Sequence, residues 1–274
     1  MTSAPIGLQH NVGRAFDSHA SDYDEIFTRS MIGRAQRNAV WERAIALFPR
    51  GSHILELNCG TGEDALFLAR QGMSVVACDA SEQMVEQARQ RQKKEAPHSD
   101  VRFELLPIEY LATLGAADPF DGVFSNFSGL NCVTDLESVT KQLATLVKDG
   151  APLLLCLSTR ICLWEVLYYL FRGNARKAFR RWSGRTDARL GGVSFTVYYH
   201  NIHQLRAFFE PAFKLKQYSG IGIVVPPSYL EFWAKKHPRF LRLLQRIDAA
   251  ICNWPFFRVV GDHVLLQLER TQQG

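Results

Sequence analysis

From residue 52 to residue 158 the chain alternates short apolar runs with longer segments of helical period. HILELN, SVVACD, VRFELL, FDGVFSN and PLLLCLS read as buried strands, because each is a compact, mostly apolar run of strand length. Between them, GEDALFLARQG, SEQMVEQARQRQKKE and DLESVTKQLATLVKDG repeat their apolar residues at helical intervals. Ser81 stands where an N-cap is needed, Asp135 lies near a helix start, and Gly72 and Gly150 close two helices. GRAQRNAVWERAIALF forms another helix before the first strand, stopped by Pro49 and Gly51. This alternation predicts an α/β fold, a doubly wound parallel sheet with helices on both faces.

The rhythm then breaks. Residues 160 to 190 form an insertion after the fifth strand, where LWEVLYYLF and RGNARKAFRRW set a greasy helix beside a cationic one. The pattern resumes with a strand SFTVYYH, a helix IHQLRAFFEPA and a strand FKLKQYSGIGIVV. A helix over YLEFWAKKHPRFLRLLQRIDAAI, interrupted at Pro238, leads to a last strand, DHVLLQLER. With no internal repeat or low-complexity linker, one domain over 1–274 is expected. It divides into an N-terminal helical cap (1–50), a core (51–158), a lid insertion (160–190) and the C-terminal part of the sheet (191–274).

Composition narrows the class. At 47% hydrophobic and 22% charged residues, the 274-residue chain can bury a core and is not a disordered polymer. No apolar stretch follows Met1, so no export signal is expected, and no run reaches the ~20 apolar residues of a spanning helix. Six scattered cysteines, without a C-x-x-C pair or a His at ligand spacing, suggest reduced thiols in a cytoplasmic protein and no metal site. The net charge of +5 is local: the insertion holds eight bases against Glu165 and Asp187. Such a patch suits nucleic acid, anionic lipid, an acidic substrate or plain solvent.

The candidate chemistry lies at ILELNCGTG, residues 54 to 62, where the first strand runs into a glycine loop. In doubly wound sheets ligands sit at the carboxyl ends of the strands. A dinucleotide loop needs G-x-G-x-x-G, and here Asn58 and Glu63 occupy the first and third positions. A P-loop needs a lysine that GTGEDA lacks. Glu56, Glu63 and Asp64 would repel a pyrophosphate and suit a ligand with a positive amine.

ILELNCGTGEDALFLA resembles the first motif of class I S-adenosylmethionine-dependent methyltransferases, E/D-x-G-x-G-x-G, and VVACDASEQM resembles their second. The likeness extends over about residues 12 to 158 and includes a lead-in, AFDSHASDYD, like that of the branch acting on quinone rings and similar small molecules. It implies a Rossmann-like, seven-stranded methyltransferase sheet. It also implies that Gly60 and Gly62 admit the methionyl part of S-adenosylmethionine, with Glu56 near its amine and Asn126 near the methionyl part or the substrate. Asp79 would take the ribose hydroxyls, and Ala80 and Met84 would line the adenine. Asn58 replaces the first glycine of the motif, and Cys59 is a small packing residue within the cofactor loop. Pro107 stands where the family has an acid that reads adenine, leaving Ile108 and its N–H for that contact.

Methyl transfer from a sulfonium requires chiefly alignment and exclusion of water, with a base for hydroxyl or carbon acids. His200 and Tyr23 are the candidate catalytic residues, with His19 of the lead-in also a candidate; His203, His263 and Cys132 read as structural. The expected acceptor is a small hydrophobic molecule, aromatic or lipid-like. Nucleic acid is not expected, since no RNA-binding module or N-P-P-Y tetrapeptide is present. The insertion is either a lid with a solvated basic face or a lid resting on an anionic membrane surface. The alternative to an enzyme is a cofactor-binding or membrane-peripheral protein that has lost transfer chemistry.

Overall fold

The computed structural model describes residues 6–115 and 118–272. A cap of three helices, α1 (Ile6–Asp17), α2 (Ala20–Tyr23) and α3 (Met31–Leu47), precedes the sheet, with a π-helical turn over Asp24–Thr28. There follow β1 (His53–Leu57), α4 (Glu63–Arg70), β2 (Ser74–Asp79), α5 (Glu82–Glu95), β3 (Val101–Leu105), β4 (Gly122–Ser125), α6 (Leu136–Leu146) and β5 (Pro152–Ser158). The expected caps form: Ser81 accepts the Met84 N–H and Asp135 the Ser138 N–H.

After β5 come α7 (Leu163–Phe171), α8 (Ala175–Ala178), β6 (Arg185–Leu190), β7 (Val193–Tyr198), α9 (Ile202–Phe209), β8 (Phe213–Ile221), α10 (Glu231–Lys236), α11 (Pro238–Ile251) and β9 (His263–Arg270). The seven-stranded sheet runs β3-β2-β1-β4-β5-β9-β8. β9 is antiparallel to β5 and β8, and the other pairings are parallel. Strand alternation sends Leu55 and Leu57 to the layer of α6 and α9, and Ile54, Val75 and Phe124 to the layer of α3 and α4. Glu56 therefore lies on the α3–α4 side. The order of the strands reverses between β1 and β4, which opens a crevice at their carboxyl ends.

The insertion differs from expectation. It is helical, in short pieces, only as far as Ser183, and β6 pairs with β7 in a separate antiparallel ribbon. SFTVYYH, expected in the main sheet, forms this ribbon instead, because Gly191 and Gly192, at φ 55° and 80°, make a two-residue hairpin turn. A Cβ on Gly191 would lie 2.0 Å from Ser18 Oγ, so the ribbon tip rests against the end of α1. The cationic segment is also partly neutralised. Arg180 and Arg181 pair with the buried Glu165 of α7, and Arg181 reaches Asp262.

Candidate functional site

A cavity of about 250 Å³ opens at the carboxyl ends of β1, β2 and β4. Asn58, Gly60, Asp79, Ala80, Met84 and Asn126 line its floor. Phe127, Ser128 and Gly129 of the loop after β4 form one wall. Val12, Gly13 and Phe16 of α1, with Phe195 and Val197 of β7, close the other side. Phe16 and Phe195 meet at a centroid distance of 5.8 Å, so the cap helix and the ribbon form the cover together.

The glycine loop is shaped for close approach. Asn58 adopts φ 55°, in the left-handed region that Asn tolerates better than most residues. A Cβ on Gly129 would lie 2.4 Å from the Asn58 side chain, so the asparagine requires a glycine opposite it. Gly60, at φ 52°, has nothing within 4 Å of where its Cβ would be. Its N–H donates to Asp79 at 2.8 Å, and the Ser81 N–H donates to the other Asp79 oxygen at 2.9 Å. Burial raises the Asp79 carboxyl, and these N–H donors partly offset the rise.

Other expected site residues lie elsewhere. Gly62 caps α4, and its missing Cβ makes room for Ala88 and Phe103 rather than for the cavity. Cys59 packs in the core, where burial pushes its thiol well up. Ile108 is buried in the layer of α6 and α9 and does not line the cavity. Glu56 lies beneath the loop. Burial and the Asp64 charge push it well above the usual carboxylate range; Arg37 opposes and Asp79 adds to this.

Tyr23 lines the cavity, and burial pushes its phenol up to about 12. His200 is not at the cavity: its ring is parallel to Tyr198 and edge-on to Phe208. Burial and Arg160 lower its pKa. His263 is buried edge-on to Phe127, His203 is exposed on α9, and His19 bonds Ser18. Cys132 lines the cavity.

The lead-in AFDSHASDYD has a role that its spacing alone did not reveal. Asp17 accepts from Ser81 Oγ at 2.6 Å and from the Gln83 N–H, tying α1 to the second motif. Asp24 accepts from Thr61 Oγ1 at 2.6 Å, tying the cap to the first. Asp24 also pairs with Arg91, which holds Glu63. Asp64 accepts from Arg37, from Trp41 Nε1 at 2.5 Å and from Asn126 Nδ2 at 3.3 Å. Glu63 and Asp64 are thus committed to arginines and the cap rather than offered to a ligand amine, as was expected of them.

A methyltransferase domain model matches residues 54–150, the segment that builds this cavity floor. Residues 54–150 thus form a methyltransferase domain. It is 33% identical to a demethylmenaquinone methyltransferase of Clavibacter sepedonicus, over 53% of this chain and 57% of that protein. It is 41% identical, over 78 residues, to the S-adenosyl-L-methionine-dependent Diels-Alderase iccD of Talaromyces variabilis, covering 28% of this chain and 26% of that one. The chain thus spans less than two thirds of either relative. The crystal structure of Burkholderia thailandensis 1,6-didemethyltoxoflavin-N1-methyltransferase, with 1,6-didemethyltoxoflavin and S-adenosylhomocysteine bound, superposes with a TM-score of 0.61. That match covers 99% of this chain and 92% of the other at 14% identity, a likeness of fold.

The cavity of this methyltransferase domain fits S-adenosylmethionine on its own evidence. The Gly60 Cβ direction is open, while Asn58 Nδ2 and Glu56 Oε2 are buried polar atoms without a hydrogen-bond partner. Asp79 would hold the ribose, the Gly60 backbone would face the methionyl part, and Met84 would offer an apolar surface to adenine.

Proposed function

We propose that this protein binds S-adenosylmethionine and methylates a small, hydrophobic, aromatic or lipid-like acceptor. The observation that carries this reading is the convergence of Asn58, Gly60, Asp79 and Met84 on one cavity whose remaining walls are largely apolar. When bound, the cofactor supplies a methyl group on a sulfonium, already activated for transfer. The chain's own work is then alignment and exclusion of water, for which Val12, Phe16, Phe127, Phe195 and Val197 supply the surface. The name demethylmenaquinone methyltransferase, borne by a relative, agrees with such an acceptor.

In this reading the acceptor brings its own nucleophile. Tyr23 stays protonated at neutral pH, so its phenol donates a hydrogen bond and positions the acceptor rather than deprotonating it. Between about pH 6 and 9 the rate is expected to follow the acceptor's own ionisation, with no limb from the protein. Tyr23→Phe is expected to lower kcat by less than about a hundredfold, since general-base catalysis contributes roughly 10²–10⁴. A larger loss, with a changed pH profile, would return Tyr23 to proton transfer.

Calorimetry with S-adenosylmethionine and S-adenosylhomocysteine tests binding, and release of S-adenosylhomocysteine over candidate acceptors tests transfer. Asp79→Ala is expected to weaken cofactor binding by about 2 kcal/mol, as hydroxyls lose a charged acceptor. Unchanged affinity in a folded variant would remove the ribose assignment. A second reading is a cofactor-binding protein without methyl transfer. It is favoured by the absence of His200 from the cavity and by the Diels-Alderase name of one relative. Tight cofactor binding with no S-adenosylhomocysteine formed over any acceptor would select it.

A further inference from the structure

Helices α7, α10 and α11 leave a broad apolar surface uncovered, and none of them contributes to the cavity. Phe171, at the end of α7, is 95% exposed, and Phe232 of α10 is 72% exposed. Leu167 and Leu170 are exposed on the side of α7 opposite the buried Glu165. On α11, Phe240, Leu243 and Ile247 are exposed at helical spacing while Leu241 and Leu244 turn into the core. The three helices are joined: Tyr168 of α7 meets Tyr229 at 4.8 Å, and Trp233 of α10 meets Phe240 at 5.6 Å. Leu163 and Ile251 pack on one cluster, tying the start of α7 to the end of α11.

Cations flank this surface. Arg239, Arg242 and Arg246 recur at helical spacing along α11, in a row beside its exposed apolar stripe. Lys236 lies 4.1 Å from the Phe232 ring centroid and Arg172 lies 4.6 Å from that of Tyr168. Among the described residues none of these five has a carboxylate at ion-pair distance, whereas Arg180 and Arg181 of the insertion are held by Glu165. No helix among the described residues is long and apolar enough to cross a membrane. An apolar stripe edged by free cations suits the plane between lipid chains and headgroups.

We propose that the α7–α10–α11 face docks peripherally on an anionic phospholipid surface. Phe171, Phe232 and the α11 stripe enter the interface, and the arginine and lysine side chains meet headgroup phosphates. This centres the membrane contact on a face that the C-terminal helices share with α7 of the insertion. A second copy of the chain is the weaker occupant, because a two-fold contact centred on α11 would bring its arginine row against itself. The proposal does not depend on methyl transfer.

Co-sedimentation of the full chain with phosphatidylglycerol–phosphatidylcholine vesicles and with pure phosphatidylcholine vesicles tests it. Binding is expected on the anionic vesicles, weakening at least about tenfold as salt rises from about 0.1 M to 0.5 M. The double variant Phe171→Ser/Phe232→Ser should lose at least about tenfold in binding while keeping its circular dichroism and melting temperature. The triple variant Arg239→Gln/Arg242→Gln/Arg246→Gln should lose a similar factor and flatten the salt dependence. Cofactor affinity, measured by calorimetry on the same preparations, should not move in either variant, which separates failure here from failure of the proposed function. Negligible binding to every vesicle, or binding that both variants leave intact, overturns the proposal. So does a dimer in sedimentation equilibrium that Phe171→Ser/Phe232→Ser dissociates, without vesicle binding.

Discussion

Gly60→Val is expected to abolish cofactor binding and leave the fold standing, while Gly62→Val is expected to damage the fold itself. The two glycines flank Thr61 and both have positive φ, at 52° and 76°. They differ in what a side chain would meet. At Gly60 a Cβ points into open space beside Asp79 and the cavity, so the folding cost is backbone strain of about 1–2 kcal/mol. The added isopropyl group would fill the space required by the cofactor backbone, with an expected loss of at least about 3 kcal/mol, roughly a hundredfold in Kd. At Gly62 a Cβ would stand 2.8 Å from both Ala88 and Phe103. Strain and overpacking together should lower stability by about 2–5 kcal/mol. Thermal melts and calorimetry on both variants check the contrast. Near-native cofactor affinity in Gly60→Val would mean that the loop faces something else.

Arg37→Ala is expected to cost about 3–5 kcal/mol of stability. Arg37 is 3% exposed and its guanidinium pairs with Asp64, itself buried. Removing the arginine leaves a buried carboxylate with only Trp41 and the Asn126 amide as donors. Arg37 also lies over the Phe127 ring at 4.9 Å, so the wall of the cavity should loosen with it. Arg37→Met/Asp64→Asn is expected to recover part of the loss, because no charge is then buried alone. Urea denaturation of the single and double variants is the measurement. A single-variant loss below about 1 kcal/mol would show that water reaches Asp64 and that the pair does not anchor the cap.

The sheet was legible because its central strands β1, β2, β4 and β5 are buried on both faces and its helices carry their caps in the sequence, as Ser81 and Asp135 do. The ribbon was not read, although Arg185–Leu190 and Val193–Tyr198 flank the dipeptide Gly191-Gly192, a hairpin signal. The density of arginine and aromatic residues around it drew the reading toward helices. The acids after the glycine loop were misread for another reason. Their partners Arg34, Arg37 and Arg91 come from two helices, α3 and α5, on opposite sides of the loop in sequence, and no local pattern announces such pairs.

The resemblance of this chain's motifs to those of the methyltransferases named Gly60, Asp79, Met84 and Asn126, which converge on one cavity because strand ends and loop lengths are local properties. Residue type and spacing likewise determined the doubly wound sheet, since hydrophobic period and capping act within a few residues of chain. Only the tertiary structure decided what covers the cavity. It brought α1 and β7 together through Phe16 and Phe195, kept His200 outside, and turned Gly62 toward Phe103 rather than the ligand. It also buried Glu165 against Arg180 and Arg181 and left the α11 row without a carboxylate partner among the described residues. These outcomes depend on contacts between segments far apart in the chain, whose partners are chosen by packing and by the need to satisfy buried charge.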